Sequence, residues 1–216
     1  MMEPFNYSAI VLGLQEQGKS HRARHRVLMA VNGQHPSGYR PRAFVLDPAG
    51  AFRSIAVTYE SAREWAERTR AAAASKKPTP LVARFPQEDP ERLLGAAVAA
   101  AASGRRPSLL VFDEGLLVRA ACSSYIAPWL QAANANRRHL ADDAGVGFIL
   151  CAQSADVHRQ LLSSATEVDL FRVVDEQQLE RVRVACAVPR AIMATVPLLR
   201  ARQFRSGRPG FPESWR

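Results

Sequence analysis

Eight consecutive residues, Gly13-Leu14-Gln15-Glu16-Gln17-Gly18-Lys19-Ser20, fit the pattern G-x-x-x-x-G-K-[ST] at every fixed position. The chemistry explains the spacing. Glycines let the backbone curl so that successive N–H groups point inward at phosphate oxygens, and a helix that starts there adds its positive end. Lys19 has the reach for terminal phosphates, and the Ser20 hydroxyl suits Mg²⁺, a hard cation that prefers oxygen. The predicted phosphate-binding set is Gly13, Leu14, Gln15, Glu16, Gln17, Gly18, Lys19, Ser20 and the adjoining His21. The competing reading is a chance turn before a basic helix.

A second stretch, Pro107-Ser108-Leu109-Leu110-Val111-Phe112-Asp113-Glu114, reads as a buried strand ending in two acids. Asp113 beside the phosphate loop would hold Mg²⁺, directly or through water. Glu114 would then orient and deprotonate an attacking water, a role suited to a carboxylate in a low-dielectric cleft. An ordinary acidic turn at a strand end is the alternative. A third stretch, Gly147-Phe148-Ile149-Leu150-Cys151-Ala152-Gln153-Ser154, sets an amide just past an apolar strand, where Gln153 would meet the γ-phosphate or the water, or merely cap the turn. No Asn-Lys-x-Asp sequence occurs, which counts against a GTPase.

These residues need a scaffold, and the remaining pattern supplies one. Strand-length apolar runs alternate with helical segments, as in a mostly parallel sheet covered by helices. Strands are expected at Ser8–Leu12, Ala43–Leu46, Leu81–Phe85, Leu109–Phe112, Gly147–Cys151 and Val168–Val174, with Ile55–Val57 a short strand or part of a turn. Helix-like sequence follows the phosphate loop to about Val31, where Asn32-Gly33 stops it. Ser61 with Glu64 forms a capping box for a helix to about Ala74. Asp89-Pro90 opens an Ala-rich helix to Ala102, and another helix is expected from Ala127 to Ala144, ended by Gly145.

Composition narrows the classes. The 216 residues are 47% hydrophobic and 23% charged, which excludes a wholly disordered chain and favours one domain. Three widely spaced cysteines, Cys122, Cys151 and Cys186, read as buried thiols, neither a disulfide framework nor a zinc site. No run approaches the roughly 18 apolar residues of a membrane span, and the N-terminus lacks a signal-peptide pattern, so a cytoplasmic protein is expected. The formal net charge is +9, and only Lys19, Lys76 and Lys77 among the 29 basic residues are lysine. Arginine suits a polyanion, while a GC-rich coding bias would also favour it.

The order of Gly13–Ser20, Val45-Leu46-Asp47-Pro48-Ala49-Gly50, Val111-Phe112-Asp113-Glu114 and Leu150-Cys151-Ala152-Gln153-Ser154 resembles the FtsK/HerA superfamily of P-loop ATPases. It is similar in particular to the small genome-packaging ATPases of tailless, membrane-containing viruses and phages, over roughly residues 8 to 175. The resemblance implies an α/β, RecA-like P-loop NTPase of one domain, with helices on both faces of a mostly parallel sheet. It also implies ATP and Mg²⁺ as cofactors, a ring that is commonly hexameric, and ATP-driven movement of double-stranded DNA into a preformed capsid. Carried over by position, Lys19 and Ser20 bind phosphate and Mg²⁺, Asp113 binds Mg²⁺, Glu114 is the catalytic base and Gln153 the sensor. Arg137 and Arg138 fall where the family often bears an arginine that acts on a neighbouring subunit, with Arg172 or Arg181 as alternatives. The loop interior Leu14-Gln15-Glu16-Gln17 departs from the family's frequent small or Gly-rich filling.

On this reading residues 1–188 form the ATPase core and 189–216 a basic C-terminal extension with the composition of a loosely held tail. Residues 181–216 hold eight arginines and one acid, leaving the rest of the chain near neutral at +2. Such a segment suits DNA phosphate, a capsid or membrane-vertex protein, or an adjacent subunit. The expected setting is the host cytoplasm or a packaging vertex of the virion. Rival readings are a phage assembly or export ATPase or a conjugation-type motor of the same superfamily, and, from another class, a P-loop kinase of small molecules. Asp113-Glu114 and the lack of an Arg-rich lid argue against the kinase, and Glu114 argues against a site that only binds ATP.

Overall fold

The computed structural model describes residues 4–35, 38–47, 50–55, 58–59, 61–74, 81–83, 90–102, 104, 106–113, 121–122, 124–153 and 157–216. Five strands form the middle of the sheet: β1 (Ser8–Leu12), β2 (Arg42–Leu46), β5 (Ser108–Phe112), β8 (Val146–Ala152) and β9 (Glu167–Leu170). Short strands β3 (Thr58–Tyr59) and β4 (Leu81–Ala83) extend one side, and β10 (Arg205–Gly207) closes the other. The order is β10-β9-β1-β8-β5-β2-β4-β3, parallel throughout except for antiparallel β10. A separate hairpin pairs β6 (Ala121–Cys122) with β7 (Tyr125–Ile126).

Every residue of β1, β2, β5 and β8 is buried, as a parallel strand covered on both faces requires. Alternate residues divide between two cores. Ala9, Val11, Ala43, Val45, Leu109, Val111, Ile149 and Cys151 pack with Ala23, Val27 and Ala30 of helix α1 (Lys19–Val31). Ile10, Leu12, Phe44, Leu46, Leu110, Phe112, Phe148 and Leu150 face the opposite side. That side is covered by α2 (Ala62–Ala74), α3 (Pro90–Ala102), α4 (Pro128–Asn136), α5 (Arg159–Ser164), α6 (Glu176–Cys186) and α7 (Arg190–Thr195). The molecule is therefore a single α/β domain with helices on both faces, as expected.

Local signals account for most element ends. Gly33 takes φ 71° just beyond α1, and Glu64 N–H donates to Ser61 Oγ at 3.4 Å at the start of α2. Cys151 and Cys186 are buried, whereas Cys122 is only half-buried. Three expectations are corrected. The helix predicted from Ala127 to Ala144 ends at Asn136, because residues 137–144 are turns in which Ala141, Asp142 and Asp143 all hold φ near 60°. The strand predicted to Val174 ends at Leu170. The C-terminal segment is not loosely held. It forms α7, a 3₁₀ turn and β10, and Trp215 lies so close over Gly207 that a Cβ there would sit 2.2 Å from Trp215 Cδ2. Ser206 and Arg216 exchange both backbone hydrogen bonds, at 2.9 and 3.0 Å. Asp89, and Phe85 of the predicted Leu81–Phe85 strand, lie outside the described residues, as do Ala56 and Val57; Ile55 belongs to a turn.

Candidate nucleotide site

The loop between β1 and α1 lies at the C-terminal edge of the parallel strands, and its shape depends on two glycines. Gly13 takes φ 147°, and a Cβ there would meet Phe171 Cβ at 2.5 Å. Gly18 takes φ 100° and serves as N-cap of α1 without a capping side chain. Glu16 holds φ 60° between them. Such alternation of backbone hand turns amides toward one concavity, and α1 starts with no acidic residue in its first turn. The result is an uncapped positive helix end facing the loop, the arrangement that receives anions. The interior filling of Leu14, Gln15, Glu16 and Gln17 is thus compatible with a curled loop, and Leu14, Gln15 and Glu16 stay exposed.

Two backbone bonds fix the loop's start: Gly13 N–H to Ala152 O at 3.3 Å and Leu14 N–H to Arg172 O at 2.9 Å. Lys19 is buried, 4% exposed, and its Nζ donates to Leu14 O at 2.7 Å across the loop. Ser20 Oγ lies 3.3 and 3.2 Å from the two carboxylate oxygens of Asp113, which is 1% exposed. Asp113 is held there by its own N–H, which donates to Leu46 O at 3.0 Å. A hydroxyl and a carboxylate meeting at the phosphate end of a helix are hard oxygen donors, so Ser20 and Asp113 fit Mg²⁺. Bound by Ser20 and Asp113, the ion would supply positive charge to offset that of the phosphates.

The order of strands places the third residue. β8 lies directly between β1 and β5, with Leu12 paired to Ala152 and Phe112 to Leu150. Gln153, one residue beyond Ala152, therefore emerges between the loop and Asp113, and it is exposed. Lys19, Ser20 and Asp113 thus meet at the loop, and Gln153 follows the strand between β1 and β5. His21 is exposed at the first turn of α1, with Nδ1 3.4 Å from Arg24. Glu114 lies outside the described residues.

Arg137 and Arg138 do not converge. Arg137 O accepts from Val146 N–H, at the start of β8, so both arginines sit at the opposite sheet edge, roughly 20 Å from the loop by strand rise. The Arg137 guanidinium is also engaged internally, donating to Asn6 Oδ1 at 2.6 Å, Asn134 Oδ1 at 3.1 Å and Ser164 O at 2.8 Å. Burial, with Arg138 alongside, pulls its pKa below the ordinary value. Arg137 is a brace joining the N-terminal segment, α4 and α5. Arg138 is exposed at that far edge. Arg181 lies exposed on α6, and Arg172 alone of the four adjoins the loop.

Sequence reasoning missed the clamp on α1. Arg26 donates twice to Asp169, Nε to Oδ2 and a second nitrogen to Oδ1, both at 2.8 Å, and Arg22 Nε adds a bond of 2.9 Å. Arg26 also donates to Tyr7 Oη at 2.6 Å and to Glu167. Burial pushes the Tyr7 hydroxyl pKa well above its usual value, so it stays a neutral partner. The signal was present: an acid inside the buried run Val168-Asp169-Leu170, and Arg26 on the apolar face of a helix. Asp47 is likewise structural, accepting from Ala51 N–H at 2.8 Å and Phe52 N–H at 2.7 Å.

A P-loop on a parallel sheet, with a carboxylate-bearing strand one strand away, defines the architecture as that of a P-loop NTPase. Solved structures share it. The genome-packaging NTPase B204 of Sulfolobus turreted icosahedral virus 2, in complex with AMP, superposes with a TM-score of 0.67 at 16% identity, over 94% of this chain and 92% of that one. The DNA-packaging ATPase B204 of Sulfolobus turreted icosahedral virus gives 0.66 at 16%, over 97% and 94%. VirB4 of Thermoanaerobacter pseudethanolicus gives 0.57 at 12%, over 93% and 86%. B204 has also been solved with AMPPCP and with ATP-γS. No family model matches the sequence, and no curated protein does.

Proposed function

We propose that this protein is an Mg²⁺-dependent ATPase that moves double-stranded DNA, packaging a viral genome as a ring of identical subunits. The observation that carries the reading is the Ser20–Asp113 pair at the mouth of the P-loop, with β8, which leads to Gln153, lying between β1 and β5. Likeness along nearly the full length to B204, a DNA-packaging ATPase, supports the choice of motor over kinase. In this reading the α1 amides and Lys19 hold the triphosphate. Lys19 exchanges its bond to Leu14 O for phosphate oxygen, Ser20 and Asp113 hold the metal, and Glu114 takes a proton from the attacking water. Gln153 contacts the γ-phosphate or that water and reports its loss along β8.

The basic C-terminal surface serves DNA or a capsid vertex protein, and the protein works in the host cytoplasm or at that vertex. Among the described residues no helix is long and apolar enough to cross a membrane. The test is the ATPase rate with and without double-stranded DNA, alongside particle mass with a non-hydrolysable nucleotide. Turnover should rise with DNA, vanish in Lys19→Ala and Glu114→Gln, and accompany a ring mass. A DNA-indifferent monomer would overturn the motor reading, and phosphate appearing on an acceptor would favour the kinase.

A further inference from the structure

Ser20 and Asp113, which would hold Mg²⁺, meet on the side of the P-loop that faces β8 and β5, so a metal-bound phosphate end would lie there. A triphosphate laid along the loop must then send its α-phosphate and nucleoside the other way, toward β9 and β10. That flank is built from two segments that both grip the loop. Leu14 N–H donates to Arg172 O at 2.9 Å, and Arg202 N–H donates to Gln17 O at 2.9 Å. A Cβ on Gly18 would fall 3.4 Å from Arg202 Cγ and 3.6 Å from Phe171 Cε1, so the Arg202 stem rests against the loop itself.

The Arg202 segment is fixed from below. Phe204 packs against Phe171 with ring centroids 5.2 Å apart, and Arg22 lies 4.6 Å from the centroid of the Phe204 ring. Arg205 pairs with Leu170 in the sheet, which keeps residues 200–204 at the nucleotide end. Arg202 holds φ 67°, a left-handed backbone that favours glycine, yet the position carries a long cation. Strain of this kind is retained where a side chain meets a ligand more often than elsewhere. Arg172 and Arg202 are both exposed, and neither guanidinium makes a hydrogen bond or ion pair among the described residues.

We propose that Arg172 and Arg202 form the nucleoside subsite of the P-loop, their guanidinium planes stacking on the purine of a nucleoside triphosphate. The proposal rests on the reading that the loop binds such a triphosphate. A guanidinium is planar and weakly hydrated, so it stacks on an aromatic base as an ammonium does not. The unfavourable backbone makes a clean variant available. Arg202→Gly deletes the side chain, keeps the N–H to Gln17 O, and suits φ 67° better than arginine does.

The experiment is equilibrium binding of ATP and of inorganic tripolyphosphate, each with Mg²⁺, to the full chain and its variants. Arg202→Gly and Arg172→Ala should each weaken ATP about tenfold, the order expected for one base-stacking partner, and leave tripolyphosphate unchanged. Arg202→Lys should behave like Arg202→Gly. Lys19→Ala should weaken both ligands alike. The proposal is overturned if ATP affinity is unchanged in Arg202→Gly and Arg172→Ala, or if tripolyphosphate weakens as much as ATP. A wild-type protein that binds neither ligand would instead refute the nucleotide-binding reading on which the proposal stands.

Discussion

The buried clamp on α1 gives the sharpest stability prediction, because Asp169 is fully buried and accepts three charge-assisted bonds of 2.8, 2.8 and 2.9 Å. Asp169→Asn keeps the shape and removes the charge, leaving Arg26, itself 7% exposed, without its principal counter-ion. Breaking a buried pair from one side costs about 3–5 kcal/mol. Glu167 and Tyr7 still face Arg26, so the low end, about 3 kcal/mol, is expected. For a chain of this length that corresponds to a fall in Tm on the order of 6–12 °C. The double variant Arg26→Met/Asp169→Leu removes both charges from the interior and should lose less than Asp169→Asn alone, since apolar replacement of a whole pair is often near neutral. The assay is urea unfolding of the wild type, Asp169→Asn, the double variant and its two single variants Arg26→Met and Asp169→Leu. An Asp169→Asn loss under about 1 kcal/mol, or strict additivity of Arg26→Met and Asp169→Leu in the double variant, would refute the reasoning. Because α1 carries Lys19 and Ser20, nucleotide affinity should fall with the clamp even where the protein remains folded.

Gly13→Ala should cost about 3 kcal/mol and abolish nucleotide binding, since its Cβ would meet Phe171 Cβ at 2.5 Å; denaturant titration with nucleotide binding checks both. Burial lowers the His35 pKa, with Arg26 adding to that and Glu167 opposing it. The unfolded chain therefore binds the proton more readily, so stability is full above the ordinary histidine pKa and declines as pH falls through the depressed folded one. The difference in urea midpoint between neutral and mildly acidic buffer should shrink in His35→Phe, and an unchanged difference would show that other groups dominate. Trp215→Ala should cost about 3 kcal/mol in thermal unfolding, because the indole is 7% exposed and lies on Gly207.

The phosphate loop, its flanking strand and helix, and the Asp113 strand were legible because their signals are local: fixed spacing, a glycine at each turn, unbroken apolar runs between charged ends. What escaped was set by contacts distant in sequence. Nothing near Ser206 announces that β10 will pair with β9, since Arg205, Ser206 and Gly207 meet Leu170, Asp169 and Val168, which lie far upstream in the chain. The early end of α4 depends on a left-handed run that includes Ala141, a residue with no preference for it, imposed where Gly145 passes so close to Phe5 that a Cβ would lie 2.1 Å from Phe5 O. Lying just ahead of β8, Arg137 falls at that strand's N-terminal end, away from the loop of its own chain, and its bonds to Asn6 and Ser164 were not legible because those partners lie far along the sequence.

The basic charge takes on a different meaning once the C-terminal residues are folded. Of the eight arginines in residues 181–216, Arg183 pairs with Glu180, Arg205 donates to Thr195 Oγ1 at 2.9 Å, and Arg208 lies 4.2 Å from the centroid of the Phe211 ring. Arg190, Arg200, Arg202 and Arg216 are exposed on the same folded unit, and β10 beneath them covers the edge of β9. Truncating this region would therefore strip a strand from the sheet and unseat the Arg202 grip on the P-loop, so lost DNA binding in a truncated chain would not distinguish charge from structure. Charge reversal at Arg190 and Arg200 leaves the backbone in place. If the surface contacts DNA phosphate, each reversal should lower affinity across sequences alike and flatten the salt dependence by about one unit of slope. An unaltered slope with intact ATPase activity would show that these arginines do not contact DNA phosphate, and any DNA contact would then belong to another surface.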